Sequence, residues 1–137
     1  MSMFSAMDIG RTGVGFTNQW IDTIAHNMAN VSTVNAPGEE PFRALRPVAQ
    51  TLTGGPFAPT GSGVVTGAQV RDEGEPARVH DPTHQMADED GIVTMPLVDM
   101  GGQMTDLMIA QRSYQANLRT IESAREAYQS ALRLGSQ

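Results

Sequence analysis

The chain has 137 residues, which fits one domain, and nine Lys+Arg against fifteen Asp+Glu give a net charge of −6. It lacks the clustered cations that neutralising phosphates requires, so neither nucleic acid nor an anionic membrane is an expected partner. The absence of cysteine excludes disulfides, thiolate zinc sites and a cysteine nucleophile. With 39% hydrophobic residues and few aromatics (Phe 4, Tyr 2, Trp 1), a self-sufficient catalytic pocket is a poor expectation, and neither enzymatic activity nor a cofactor is expected.

The first ten residues, MSMFSAMDIG, lack the charged n-region and unbroken apolar stretch of a cleaved signal peptide. Across residues 1–34, Met7, Val14, Ile21 and Met28 recur every seven residues, with Met3, Thr17, Ile24 and Val31 as a weaker second row. That spacing predicts a helix with a seam. Gly10, Gly13 and Gly15 each cost about 1 kcal/mol relative to Ala in a helix interior, so the first half should fray without a partner. Asn30 suits the helix end because asparagine tolerates a left-handed cap conformation.

Residues 35–96 hold all eight prolines and eight of the fourteen glycines. Turn signals at Gly54-Gly55-Pro56, Gly61-Ser62-Gly63 and Asp90-Gly91 separate three predicted strands, Ala44 to Leu52, Val64 to Val70 and Ile92 to Met95. Pro47 restricts the first to an edge or an irregular path. The segment reads as a small, irregular β-rich insert.

Residues 97–137 contain no proline, and alternating steps of four and three from Met100 reach Met104, Leu107, Gln111, Tyr114, Leu118, Ile121, Arg125, Tyr128 and Leu132. Such a 3.5-residue period keeps one side of a long helix against another helix. Asp99 is placed to cap its start and Gly135 marks its end. The expected fold is therefore mainly α with a small β insert, in which N- and C-terminal long helices pair as a coiled coil. The two seams can close on each other as a hairpin or also meet neighbouring chains, and periodicity leaves both readings open. Asn27 and Asn30 lie on one helix face, either to hydrogen-bond across a contact or to cap locally.

Other motifs are weak. His80 and His84 with Asp88 are the cluster most like metal ligands, but Pro82 places them in a loop where the spacing fixes no geometry. A small metal-dependent enzyme built on them is the remote alternative. Asp88 to Gly91 fails the EF-hand spacing, and the glycine clusters match neither the dinucleotide fingerprint nor the P-loop.

The helix end NMAN (Asn27 to Asn30) resembles the N-x-A-N signature of the axial proteins of the bacterial flagellum, the rod and hook components. PLVDMGGQM (Pro96 to Met104) and AQRSYQANL (Ala110 to Leu118) are similar to that family's P-N-V-D…E-M and A-x-R-S-Y-Q-A-N motifs. VHDPTHQMADEDGIVTMP (Val79 to Pro96) resembles the D-P-x-H-P-x-A-D-x-x-G-Y-V-x-x-P stretch that sets the proximal rod member apart. Met86 departs from the family's proline, Ile92 from its tyrosine, Leu97 from its asparagine and Gln103 from its glutamate.

The resemblance implies a non-enzymatic proximal rod subunit that transmits torque, is exported without a cleaved signal peptide, and resides in the periplasmic rod of the basal body. Its partners would be itself, other proximal and distal rod proteins, the adaptor joining rod to MS ring, and the flagellar type III export apparatus, with no direct membrane insertion. The nearer alternative is another rod or hook component. Expected assembly residues are Val14, Ile21, Ile24, Asn27, Met28, Asn30, Asp99, Met104, Leu107, Tyr114, Asn117, Leu118, Ile121, Tyr128 and Leu132.

Overall fold

The computed structural model describes residues 3–53 and 61–135, so the turn read at Gly54, Gly55 and Pro56 lies outside the described residues. Element order is α1 (Met3–Ala29), β1 (Leu45–Leu52), β2 (Gly63–Arg71), β3 (Ala77–His80), β4 (Ile92–Met95) and α2 (Met100–Gly135). Two long helices thus flank a middle of short strands, a mainly α chain with a small β part. The 36 residues of α2 extend roughly 54 Å at ~1.5 Å per residue.

Helix α1 runs unbroken through Gly10, Gly13 and Gly15, because α2 lies against it. The helices are antiparallel: Phe4 meets Tyr128 edge to face at 5.3 Å between ring centroids, and at the other end Asn27 Nδ2 donates to Gln103 Oε1 at 3.0 Å. Between these ends the spacing is short. A Cβ added at Gly10 would stand 2.8 Å from Ile121 Cγ1, and one at Gly13 would stand 2.7 Å from Asn117 Nδ2. Glycine at these positions is what lets the two backbones approach, offsetting its propensity cost with packing.

Strands β1 and β2 form an antiparallel ribbon, from Leu45 opposite Arg71 to Leu52 opposite Gly63, with the register shifting between Pro47 and Ala49. The irregularity falls beside the proline, which cannot donate to a ladder. The ribbon rests on α1, while among the described residues the α2 backbone keeps its distance from both sheets. Strands β3 and β4 make a second antiparallel pair, Ala77 opposite Met95 and His80 opposite Ile92. Strand β3 is not among the three predicted strands: Pro76 and Asp81-Pro82 bound it, but ARVH is too short to show alternation.

The interior is small. Among the described residues Ile24, Ala44, Val93, Pro96 and Ala110 are buried apolar positions, and they share the interior with buried Thr17, Thr23 and Asn27. With so little apolar burial, hydrogen bonds carry much of the register between elements.

Candidate assembly surface

The seam observed on α2 is displaced from the predicted one by a fraction of a turn. Leu107, Tyr114, Ile121 and Tyr128 are half-buried toward α1. The alternate row is not Met104, Gln111, Leu118, Arg125 and Leu132, which are all exposed, but Gln103, Ala110, Asn117 and Ala124, which are buried or half-buried. Ala110 is entirely covered, at 0% exposure. On α1 the order of the two rows reverses: Gly10, Thr17 and Ile24 are buried, whereas Met7, Val14, Ile21 and Met28 are half-buried. Where the helices come closest, at Gly10 and Gly13 on α1 and Ala110 and Asn117 on α2, small or polar side chains take the inner line and larger ones flank it. The sequence signal for this was the row Ala110-Asn117-Ala124 opposite Gly10 and Thr17, which hydrophobicity alone undervalues.

The displaced seam divides the expected assembly residues. Ile24, Asn27, Leu107, Tyr114, Asn117, Ile121 and Tyr128 lie on the side where the helices meet, with Val14, Ile21 and Met28 half-covered beside them. Met104, Leu118 and Leu132 face outward, and with Met108, Ile109 and Leu134 they leave α2 rich in exposed apolar side chains.

Asn27 and Asn30 have different jobs. Asn27 is 1% exposed and closes a clasp between three elements. Its Oδ1 accepts the Leu45 backbone N–H at 2.9 Å, while its Nδ2 donates to the Leu45 carbonyl at 2.8 Å and to Gln103 Oε1 at 3.0 Å. One side-chain amide therefore ties the end of α1 to the start of β1 and the first turn of α2. Gln103 supplies a neutral acceptor to the clasp. Asn30 instead caps α1: its Nδ2 donates to the His26 carbonyl at 2.8 Å and its Oδ1 accepts from Thr33 Oγ1 at 3.1 Å. No non-glycine residue among those described has a positive φ, so the cap works through the side chain and not through the left-handed backbone expected of it.

Asp99 stands immediately before α2, its carbonyl accepting the Gln103 N–H at 2.9 Å, as the residue at a helix N-cap does. Further up α1, Thr12 Oγ1 accepts the Val64 N–H at 3.1 Å, and Gln69 Nε2 reaches Thr23 Oγ1 at 3.5 Å. The β1–β2 ribbon is thus pinned to α1 at Thr12, Thr23 and Asn27, three positions that sequence reasoning did not group. Threonine and asparagine inside an amphipathic pattern were the available signal.

The His80–Asp88 stretch is a run of turns. Asp81 Oδ1 accepts from Thr83 Oγ1 at 2.7 Å and from the Thr83 N–H at 3.1 Å, so the hydroxyl first and the amide second hold its carboxyl below its usual value. His84 Nδ1 accepts the Met86 N–H, and Asp88 Oδ1 accepts the N–H groups of Asp90 and Ile92. Among the described residues no three His, Asp or Glu side chains stand where they could hold a metal ion together. The polar atoms of Asp81, His84 and Asp88 build the loop. No described helix is long and apolar enough to cross a membrane.

Comparison with known proteins agrees with the motifs. A family described as flagellar basal body rod FlgEFG protein, C-terminal, matches residues 89–134, spanning β4 and nearly all of α2. The flagellar basal-body rod protein FlgC of Yersinia enterocolitica is 35% identical over 136 residues, covering 98% of this chain and 99% of that protein. FlgC of Escherichia coli O6:H1 is 33% identical over 135 residues with the same coverage, and that of Borreliella burgdorferi is 31% identical over 147 residues, covering 96% and 97%.

Proposed function

The chain belongs to the FlgC family of flagellar basal-body rod proteins, and from that membership we propose how a structural rod subunit of this kind assembles. Helices α1 and α2 pair as a coiled coil with neighbouring copies as well as with each other, and the β-rich middle lies to the outside. Residues 1–34 and 97–137 act as the assembly segments and residues 35–96 as the insert. The observation that carries this reading is the division of α2, whose inner rows close the hairpin while Met104, Met108, Leu118 and Leu132 remain exposed along its length. Exposed apolar rows on a chain with so small an interior are what a subunit held together by its polymer should present.

A rod subunit resists torsion because a long helix bears load along its axis and its neighbours restrain it laterally. The partners in this reading are further copies of the chain, other proximal and distal rod proteins and the rod-base adaptor. The flagellar type III apparatus delivers the chain without signal-peptide cleavage to the periplasmic rod. An interior of a few small side chains and a cysteine-free sequence suit a chain that must be unfolded for passage through a narrow channel. No catalytic step enters this role.

Electron microscopy of basal bodies from a deletion strain of the source bacterium, with the wild-type gene restored as control, tests the reading. Loss of the rod and everything beyond it, with the inner-membrane ring retained, is the expected outcome. Complete hook-basal bodies in the deletion strain would refute it.

A further inference from the structure

Asn27 and Leu45 together dictate what residue 103 must offer. The Leu45 N–H donates to Asn27 Oδ1 at 2.9 Å and the Leu45 carbonyl accepts a proton of Nδ2 at 2.8 Å, which fixes the orientation of the amide. Turning it over would set Nδ2 against an N–H and Oδ1 against a carbonyl. The second Nδ2 proton is then directed at α2, where Gln103 Oε1 accepts it at 3.0 Å. At 1% exposure Asn27 has no access to solvent, and a buried donor left unmet is costly.

The demand for an acceptor therefore falls on one position in the first turn of α2. The α2 backbone keeps its distance from both sheets among the described residues, so the bond from Asn27 links that turn to α1 and, through Leu45, to β1. Glutamine and glutamate have the same reach and carry an acceptor oxygen. Asparagine and aspartate are one methylene shorter, and methionine has comparable length without the oxygen. Of the two side chains that fit, this chain has the neutral one, where the flagellar axial motif has glutamate.

We propose that Gln103 is a positioning residue: it seats the first turn of α2 on the end of α1 and the start of β1 through Asn27, and as a neutral acceptor it keeps that joint independent of pH. A carboxylate at the same place would accept the same proton in a stronger, charge-assisted bond, but only while ionised. The amide accepts less strongly and ignores pH. This joint lies within one chain, so the role of Gln103 stands apart from how copies assemble.

The full-length chain is compared with Gln103→Glu and Gln103→Met in urea titrations from about pH 7 to about pH 3.5, across the ordinary glutamate value of about 4.3. Arg46, Arg71, Asp72 and Glu73 line a cleft beside Gln103, Asp99 and Asp106 lie within a turn of it on α2, and His26 precedes Asn27 on α1. These charges are common to all three chains, so differences between the chains isolate residue 103. Gln103→Glu should have an unfolding constant about fivefold smaller than wild type near neutral pH. Its introduced carboxyl has a depressed folded-state pKa, so the advantage is present above the unfolded value and lost as pH falls through the folded one. Gln103→Met should unfold at lower urea than wild type by the same margin at every pH. A Gln103→Glu difference that is flat with pH, or a Gln103→Met chain as stable as wild type, overturns the proposal.

A glutamate in a first helical turn also gains from the helix dipole, so the joint itself is read by NMR. In Gln103→Glu the Asn27 side-chain N–H resonances should acquire a titration that wild type lacks. Asn27 resonances that titrate identically in both chains refute the joint, whatever the urea curves show.

Discussion

Two rows of side chains on α2, each repeating every seven residues, have the same apolar character in sequence and opposite fates in the fold. Leu107, Tyr114, Ile121 and Tyr128 turn toward α1, whereas Met104, Leu118 and Leu132 face solvent. What separates them is the neighbouring row: Ala110 and Asn117 let α1 approach through Gly10 and Gly13, and that approach decides which large residues are enclosed. The inner row packs within the chain, and the outer row stays exposed, the surface we propose for assembly. A heptad pattern therefore identifies apolar rows without saying which row serves which contact.

The contrast can be broken first at its most enclosed residue. Ile24, 2% exposed, loses its apolar burial and brings an unpaired charge into the interior on Ile24→Asp, a change expected to cost the monomer about 4 kcal/mol or more in urea titration. Undiminished stability would contradict the packing described. Asn27→Ala strands the Leu45 amide and carbonyl together with Gln103, and about 2–3 kcal/mol of destabilisation is expected from these unmet groups. Asn30→Ala, at a half-exposed cap, should cost nearer 1 kcal/mol, so comparable losses at the two asparagines would erase the distinction between clasp and cap.

Gly10→Leu sharpens the account of close approach. Its added side chain meets Ile121 directly, and the overpacking, about 1–3 kcal/mol, should outweigh the gain of about 1 kcal/mol in helix propensity. A more stable Gly10→Leu variant would mean the helices have room to spare. Leu118→Asp should cost the monomer about 1 kcal/mol, well below Ile24→Asp because the side chain is 37% exposed, yet it should remove the chain from assembled basal bodies. Retention there would return the outer row to a solvated face.

The smallest effect lies far from both rows, in the 81–84 turn. Asp81 is held ionised by Thr83, so its folded-state pKa is depressed. The associated stabilisation is present above the unfolded carboxylate pKa and disappears as pH falls through the folded value. Thr83→Ala should move the Asp81 NMR titration back up toward the ordinary carboxylate range. An unmoved titration would remove Thr83 as the cause.

Much of the architecture was legible from residue order. Proline-free ends with seven-residue repeats gave two long helices, and alternation between glycine and proline punctuation located β1, β2 and β4, the last at Ile92–Met95 as predicted. Strand β3 escaped because four residues carry too little pattern, and its pairing with β4 comes from the turns at Asp81 and Asp88. The motif at Asn27 to Asn30 marked a place of consequence without revealing its two mechanisms, a buried three-way clasp and an exposed cap.

Periodicity, punctuation and composition by themselves determined both helices, strands β1, β2 and β4, their order and the absence of cysteine chemistry, since these depend on local backbone preference and on which residue types exist. Only the tertiary structure decided the facing rows, the pins at Thr12 and Thr23, and the joining of Leu45 to Gln103 through Asn27. Those depend on how closely two backbones approach, and small residues set that distance when they meet their counterparts across the chain. Hydrophobic pattern records a side chain's affinity for burial, but steric fit between distant segments selects what is buried.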